Sequence, residues 1–450
     1  MAHLDFVFEI FAARGEADAI VWHDQTYPYG WLVEEVGRWT ARLHSEQVPA
    51  GSVVALETDF SPYAVAAFLA LVEGGHIVVP LHPSVRLHRE AFMTLAEVEA
   101  SITFDAHDEA TVRRFPVSAV HPYYGQLRAR KHPGLVLFSS GSTGTSKAAV
   151  HDMTAMLEKF RQRRRARRTI AFLMLDHIGG INTMLHTLSN GGCLITVGDR
   201  TPDGVLKAIA RYHAELLPTS PTFLNLVILS EAYKRHDLAS LQLITYGTEP
   251  MPEGTLARIH ALMPGVELLQ TYGLSEVGIL RSKSRRSDSL WVKIGGEGFQ
   301  TRIIDGMLQI QSRSAMLGYL NAPSPFTDDG WFMTGDAVEQ DGEYLRIRGR
   351  QSEIINVGGE KVYPAEVESV IQGIENIAAV LVYKEPNSVT GNIVCAQVSV
   401  MCHEDPKAVA RRVKQYCRER LRPFQVPVRV NVVEAVSYSE RFKKQRAPDG

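Results

Sequence analysis

The chain has 450 residues, 45% of them hydrophobic and 22% charged, and its 48 Lys and Arg against 50 Asp and Glu leave a net charge of −2. That length exceeds what one compact core accommodates and points to two or three domains, while the balanced charge argues against bulk attraction to nucleic acid or an anionic membrane. Cys193, Cys395, Cys402 and Cys417 lack the spacing of a zinc or disulfide framework and suit reduced thiols. The N-terminus has no basic segment followed by a long apolar one, and no window reaches about 18 apolar residues. A cytoplasmic protein without a membrane span is expected.

Taken in chain order, the first 350 residues alternate short apolar runs with amphipathic stretches. Runs at 52–56, 77–80, 135–138, 170–175, 193–197 and 243–246 predict buried strands. Helical patterns such as 63–73 and 204–212 lie between them, so the alternation predicts parallel sheets covered by helices. The Arg-rich run 161–168 reads either as a docking surface for an anionic partner such as an acidic carrier protein, or as a solvated helix end before the strand at 170. A polar run at 281–289 leads into short Gly-punctuated strands at 299–304 and 307–311, which predict a small antiparallel, barrel-like unit. From about residue 351, strands at 378–383 and 393–400, a basic helix at 407–421 and a strand at 428–433 predict a compact α+β domain of about 100 residues.

Four stretches carry chemistry. Residues 137–147 read Leu-Phe-Ser-Ser-Gly-Ser-Thr-Gly-Thr-Ser-Lys. Gly141 and Gly144 permit close backbone approach, the hydroxyls of Ser139, Ser140, Ser142 and Thr143 and the loop N–H groups can donate, and Lys147 adds a cation, which together suit a polyphosphate. It is not a Walker loop, because Ser146 stands where a Gly must precede the Lys. Residues 269–276 place Tyr272, Gly273, Ser275 and Glu276 after an apolar strand. That set can stack on a purine, bond a phosphate and hold Mg2+. Asp336 at a Gly turn, followed by Arg350, suits a ribose diol and its neighbouring phosphate. Gly358 and Gly359 form a tight turn before a Pro-initiated helix.

In this order the four stretches resemble the adenylate-forming superfamily of acyl-CoA and aryl-CoA synthetases, adenylation domains and luciferases, across essentially the whole chain. The resemblance implies an α/β fold: a large N-terminal domain, residues 1–350, of two parallel βα subdomains plus the β-barrel-like unit, and a small mobile α+β domain, residues 351–450. It implies ATP- and Mg2+-dependent activation of a carboxylic acid, fatty or aromatic, to an acyl-adenylate with loss of pyrophosphate. Transfer to a thiol follows, either of CoA or of the phosphopantetheine of a carrier protein.

Carried over residue by residue, the resemblance makes 139–147 the phosphate clamp and Gly247-Thr248-Glu249-Pro250 an adenine-pocket motif. Tyr272 would stack on adenine, Ser275 would stand in for the usual Thr, and Glu276 would ligate Mg2+. Asp336 would grip the ribose, with Arg350 in support. Ser352 falls at the hinge of domain rotation, and the Gly358-Gly359 loop would enter the acyl site for the thiol step. The catalytic cation is Lys443 when Arg446 is aligned with the family's terminal Arg. Phe442 in place of Gly leaves Lys444 as the alternative. Leu175-Asp176-His177-Ile178-Gly179-Gly180 occupies the place of the acyl-pocket pattern. There His177 either lines the pocket or caps the next helix, Asp176 either caps that helix or binds a substrate amine, and Gly179 and Gly180 leave room for a bulky acyl group. The identity of the acid and the choice between monomer and homodimer stay open.

Overall fold

Apolar strands without in–out alternation need cover on both faces, and such strands form the centres of two seven-stranded sheets. The computed structural model describes residues 3–105, 107–139 and 146–434. The first sheet runs Glu267–Gln270, Leu243–Tyr246, Leu216–Thr219, Arg168–Ala171, Cys193–Thr196, Asp18–Trp22 and Gln25–Pro28, all parallel except the last pair. The second has the parallel strands Gly134–Ser139, Ile77–Leu81, Val53–Glu57 and Ala100–Phe104 at its centre. Antiparallel strands flank them: Lys147–Asp152 and Gly318–Tyr319 on one side, Ala110–Arg114 on the other.

One core joins the two sheets. The helices Pro62–Glu73 and Ile178–Ser189 share it with Ile20 and Leu194 of the first sheet and Val54 and Leu135 of the second. Within Pro62–Glu73 every residue from Ala64 through Val72 is closed to solvent, as an all-apolar helix between two sheets must be. The start of that helix is written locally: Ser61 accepts from the Ala64 N–H and Pro62 takes the first turn. Thr201, Ser220 and Asp405 repeat the arrangement, each directly before a Pro.

The third sheet is an open, six-stranded antiparallel half-barrel. Its order is Arg281–Ser284, Val292–Gly295, Tyr344–Arg350, Phe332–Asp341, Met307–Ser312 and Phe299–Ile304. Beyond it, Ile377–Asn387, Gly391–Val400 and Arg429–Val432 make a three-stranded sheet packed with the helices Pro364–Gln372 and Pro406–Arg418. The predicted α/β class, with two largely parallel sheets, an antiparallel unit and an α+β C-terminal region, is the class observed.

One local expectation fails. Residues 161–167 are not a helix end, because the helix Met153–Leu157 closes in a 3-10 turn, Glu158–Phe160, and the Arg run continues irregularly into the strand Arg168–Ala171. Its cations are held one by one instead: Arg161 by Glu158, Arg165 by Glu215, and Arg168 by Asp18 at 2.8 Å. Within the polar run at 281–289, Arg281–Ser284 pairs with Val292–Gly295 as an edge strand.

Candidate active site

The candidate phosphate loop is the turn of a β-hairpin. Gly134–Ser139 enters it, Lys147–Asp152 leaves it antiparallel, and Ser139 pairs with Lys147 across its mouth. Ser140, Gly141, Ser142, Thr143 and Gly144 lie outside the described residues, as do Lys443 and Lys444. The exit of the loop is pinned by a residue the motif reading missed. Asn321 Nδ2 donates to the Ser146 carbonyl at 2.9 Å, and its Oδ1 accepts from the Ala148 N–H at 3.1 Å. Asn321 reaches that place because Gly318–Tyr319 pairs with Val150 and Ala149 on the exit strand.

Tyr319 is the second residue missed. Its hydroxyl donates to Glu276 Oε1 at 2.6 Å, and Lys147 Nζ lies 5.2 Å from the centre of its ring. Burial and the adjacent Glu276 carboxylate raise the phenol pKa, so the hydroxyl keeps its proton and acts as a donor. Glu276 sits in a tight loop between the two-residue strands Gly273–Leu274 and Gly278–Ile279. A side chain at Gly273 would place its Cβ 2.5 Å from Ile279 Cδ1, so the turn demands Gly. The Glu276 carbonyl accepts from Met316 N–H at 2.7 Å. Behind this loop, the fully buried His151 of the exit strand turns its ring to the backbone of Ser275 and Ser314, and burial pushes its pKa down to about 4. The ring is therefore neutral, and among the described residues neither of its nitrogens has a hydrogen-bond partner.

A second group forms one strand away. Asp336 and Arg350 are direct partners on the antiparallel strands Phe332–Asp341 and Tyr344–Arg350. Arg350 Nε lies 3.3 Å from Asp336 Oδ1, while Tyr272 donates its hydroxyl to Oδ2 at 2.5 Å. Asp336 is 5% exposed. Burial raises its pKa, and Arg350 and Tyr272 pull the other way. The carboxylate is thus desolvated, hydrogen-bonded by Tyr272 and ion-paired with Arg350, a state in which its remaining lone pairs bind hydroxyls strongly. The structure brings together Tyr272, Asp336 and Arg350, and separately Lys147, Tyr319 and Glu276.

Gly247 follows the strand Leu243–Tyr246, and a Cβ there would lie 2.7 Å from Thr271 Oγ1, which brings residues 247–250 against the start of the Tyr272 segment. Thr248 adopts a left-handed φ of 73°. Glu249 accepts from the Thr222 N–H at 2.7 Å, at the start of the helix Pro221–Ser230, and Pro250 borders the same small cleft.

At the acyl-pocket pattern the structure decides between readings. His177, not Asp176, is the N-cap of Ile178–Ser189, its Nδ1 accepting from the Gly179 N–H at 3.0 Å. Asp176 is one residue too early and is buried. The glycine pair does not open room for an acyl group. A Cβ on Gly180 would come within 2.0 Å of the Met174 carbonyl oxygen, and one on Gly179 within 2.5 Å of Leu173 Cδ1. Both glycines let the helix start press against the preceding segment.

Gly358 and Gly359 form the two-residue turn of the hairpin Ile355–Val357 and Glu360–Val362, with φ of 57° and 91°. Gly358 N–H donates to the Thr390 carbonyl at 2.9 Å, so the turn docks on the C-terminal sheet's own hairpin. Ser352 is exposed in the short 3-10 turn Gln351–Glu353 directly after Arg350. Among the described residues, contacts across this point include Glu253 N–H to Ser369 Oγ at 3.0 Å, Asn225 Nδ2 to the Ala378 carbonyl at 3.0 Å, an Arg348–Glu366 ion pair and Arg348 over the Tyr363 ring at 4.5 Å.

Comparison with known proteins agrees with this geometry. Residues 8–302 match the AMP-binding enzyme family and residues 366–443 its C-terminal domain. An indoleacetate–CoA ligase of Aromatoleum aromaticum is 26% identical, over 92% of this chain and 90% of its own length. A medium/long-chain-fatty-acid–[acyl-carrier-protein] ligase of Mycobacterium tuberculosis is 27% identical, over 99% of this chain and 94% of its own. Among solved structures, an anthranilate CoA ligase in complex with anthranoyl-AMP superposes with a TM-score of 0.84 at 19% identity, covering 99% of this chain and 95% of that one. The chain, with Asp336 and Arg350 paired on neighbouring strands and Tyr272 bonded to Asp336, accordingly belongs to the AMP-binding enzyme family.

Proposed function

We propose that this chain activates a free carboxylic acid with Mg·ATP, releasing pyrophosphate, and passes the acyl group to the thiol of CoA. The observation that carries the reading is the Tyr272–Asp336–Arg350 group, a desolvated carboxylate hydrogen-bonded by Tyr272 and ion-paired with Arg350. Asp336 binds the ribose diol, Arg350 steadies it and faces the α-phosphate, and Tyr272 offers its ring to adenine. On the other side, Lys147 and the loop from Ser139 take the β- and γ-phosphates. Attack of a carboxylate on the α-phosphate brings anions together, so catalysis here is charge neutralisation and in-line positioning.

Mg2+ fits Glu276. Tyr319 engages Oε1, and among the described residues Oε2 has no hydrogen-bond donor, so it can face a cation. Among the described residues no cluster of three or more His, Cys, Asp or Glu could hold a metal by itself. Mg2+ is ordinarily held by one or two carboxylates together with substrate phosphates, so a single Glu is the donor set this chemistry uses. The ion would supply charge neutralisation at the phosphates. Lys443 would meet the charge developing on the reacting carboxylate and the α-phosphate. A turn of the C-terminal region about Ser352, breaking the few polar contacts at Glu253 and Asn225, would then replace Lys443 with the Gly358-Gly359 hairpin for the thiol step.

ATP–pyrophosphate exchange with a panel of fatty, aromatic and amino acids tests the reading, followed by CoA or a phosphopantetheinylated carrier as acceptor. Exchange with no acid refutes adenylation. Turnover with the carrier and none with CoA moves the acceptor to the second reading, in which the exposed Arg163 and Arg164 offer a docking surface to an acidic carrier.

A further inference from the structure

The strand Tyr344–Arg350 carries three arginines with different partners. Arg346 lies 3.5 Å from Glu253 and Arg350 pairs with Asp336, both inside the N-terminal part of the chain. Arg348 reaches out instead, to Glu366 in the first turn of the helix Pro364–Gln372, and its Nε donates to Oε1 there. Its guanidinium carbon also lies 4.5 Å from the centre of the Tyr363 ring, directly before that helix. Both ends of this contact are held from behind. Glu339 meets the guanidinium at 3.1 Å from the neighbouring strand, and Gln425 Nε2 donates to Glu366 Oε2 at 3.3 Å. An arginine forked between two carboxylates and laid on an aromatic ring uses its planar geometry in full, which a Lys could not reproduce.

Elsewhere the junction is loosely joined. The helix Glu253–Leu262 meets the end of Pro364–Gln372 at glycines, where a Cβ built on Gly254 comes no nearer than 3.9 Å to Gly373 Cα. A small open cleft beside them is lined by Asn225, Pro252 and Gln372, so the two sides do not fill the space between them. Glu253 N–H to Ser369 and Asn225 to the Ala378 carbonyl are single hydrogen bonds between neutral groups. Arg348 adds a full charge pair and a ring contact to these.

The orientation so held is recognisable. The Gly358-Gly359 turn, which the proposed second step carries into the acyl site, is exposed. A Cβ on Gly359 would meet nothing within 4 Å, and one on Gly358 would meet Thr390 of the same C-terminal sheet. This is not the arrangement of the thiol step. Arg348 precedes the proposed hinge at Ser352, whereas Tyr363 and Glu366 follow it. A turn about that hinge must therefore part the guanidinium from both.

We infer that Arg348 is a latch: clamped on Glu366 and Tyr363, it retains the C-terminal region with the Gly358-Gly359 turn in solvent, and its release gates the thiol-transfer half-reaction. The inference rests on the two-step reading above and deepens it by naming the contact whose breaking divides the steps. Arg348 is a positioning residue; it acts through the orientation of the C-terminal region. Its side chain is 31% exposed and that of Glu366 27%, so salt screens the pair in part. The latch accordingly biases the orientation by roughly three- to tenfold and does not fix it.

Two measurements test it on the full chain. The first needs no acid. With the exposed Cys402 replaced by Ser, Glu253→Cys and Ser369→Cys trap this orientation as a disulfide in oxidised glutathione, at a rate that reads how often the two sides meet. Arg348→Met is expected to slow trapping roughly three- to tenfold, and Arg348→Lys to fall between. Salt at about 1 M should slow trapping when Arg348 is present and leave the Arg348→Met chain unchanged. Glu366→Gln must repeat the slowing from the other side, so that poor folding of one variant does not decide the result. The second measurement uses whichever acid of the panel supports exchange. Single-turnover transfer from preformed acyl-adenylate to CoA is compared with pyrophosphate exchange, and Arg348→Met should raise the ratio of transfer to exchange by about threefold or more. Equal trapping rates, or a ratio that stays level or falls, overturn the latch and leave adenylation standing. Exchange with no acid refutes adenylation, and the trapping rates then still decide whether Arg348 holds the orientation.

Discussion

Lys159→Met should stabilise this protein at pH 6 and lose most of that advantage by pH 9.5. In the folded state the ammonium is held by two neutral oxygens and burial lowers its pKa to about 7, whereas an unfolded chain keeps the proton up to 10.5. Between those values the unfolded state binds more protons, so wild-type stability rises with pH through the window from about 7 to 10.5, and the penalty is fully present below it. A span of roughly 3.5 units at about 1.4 kcal/mol each sets a ceiling of ~5 kcal/mol. Lys159 keeps some contact with solvent, which argues for roughly half of that or less. His186 stays neutral throughout this window, so the slope belongs to Lys159.

Methionine nearly matches the stem in length, so the core loses little volume, but Asn182 and the Ile279 carbonyl each lose a donor at about 1 kcal/mol. That loss is the same at every pH. The slope of the difference, and not its offset, therefore carries the prediction. Thermal melts of both proteins at pH 6, 7, 8, 9 and 9.5, compared at one scan rate, read it directly. A change of ~2 kcal/mol corresponds to a few degrees in a domain of this size. A difference in Tm that is flat across the series, or that grows with pH, refutes the buried-cation argument.

Tyr319→Phe keeps the ring beneath Lys147 and removes the donor to Glu276. A hydrogen bond to a charged group is worth about 1.5–3 kcal/mol, so adenylation should fall roughly 10- to 100-fold with a raised Mg2+ requirement, and an unchanged Mg2+ titration would count against the Glu276 role. Lys443→Ala should abolish acyl-adenylate formation and Lys444→Ala should not; the reverse pattern, measured by pyrophosphate exchange, moves the catalytic cation by one residue. Glu253→Cys with Ser369→Cys, which replaces two residues already in hydrogen-bond contact, should give a cross-link that arrests one half-reaction, spares the other, and is reversed by reductant. Both half-reactions running unimpeded in the cross-linked protein would refute rotation about Ser352.

The parts of this site carried by contiguous runs are legible in the sequence. The Gly358-Gly359 turn and the strands Leu243–Tyr246 and Gly134–Ser139 follow from local chemistry, because positive φ and apolar continuity are properties of neighbours, whereas the antiparallel exit strand Lys147–Asp152 is not read from them. What escapes is the contact made across distance. Tyr319 belongs to a two-residue strand, too short to show any periodicity, and meets Glu276 43 positions away in the chain. The Asp176 expectation fails for a different reason: Asp is a good cap by propensity, yet the chain enters the helix one residue later, and an imidazole nitrogen takes the same N–H. Gly179 and Gly180 read equally well as vacancy or as close approach. Only the positions of Leu173 and Met174 decide for close approach.

One short segment explains why the two polar groups are held ready before any substrate arrives. Gly318–Tyr319 and Asn321 add an edge to the phosphate-loop sheet, and from that edge Asn321 fixes the loop's exit while Tyr319 orients Glu276 and lies under Lys147. The half-barrel that follows then supplies Asp336 and Arg350 from paired strands, and Tyr272, from the segment that leads to Glu276, reaches back to Asp336. Each of the two carboxylates, Glu276 and Asp336, is thus held by a tyrosine hydroxyl, Tyr319 and Tyr272 respectively. Such preorganised donors and carboxylates need little rearrangement as charge shifts toward pyrophosphate, and that economy of motion is what electrostatic catalysis requires. Among the described residues the C-terminal region shares no apolar core with the rest; Glu253–Ser369, Asn225–Ala378 and the Arg348 contacts with Glu366 and Tyr363 hold it.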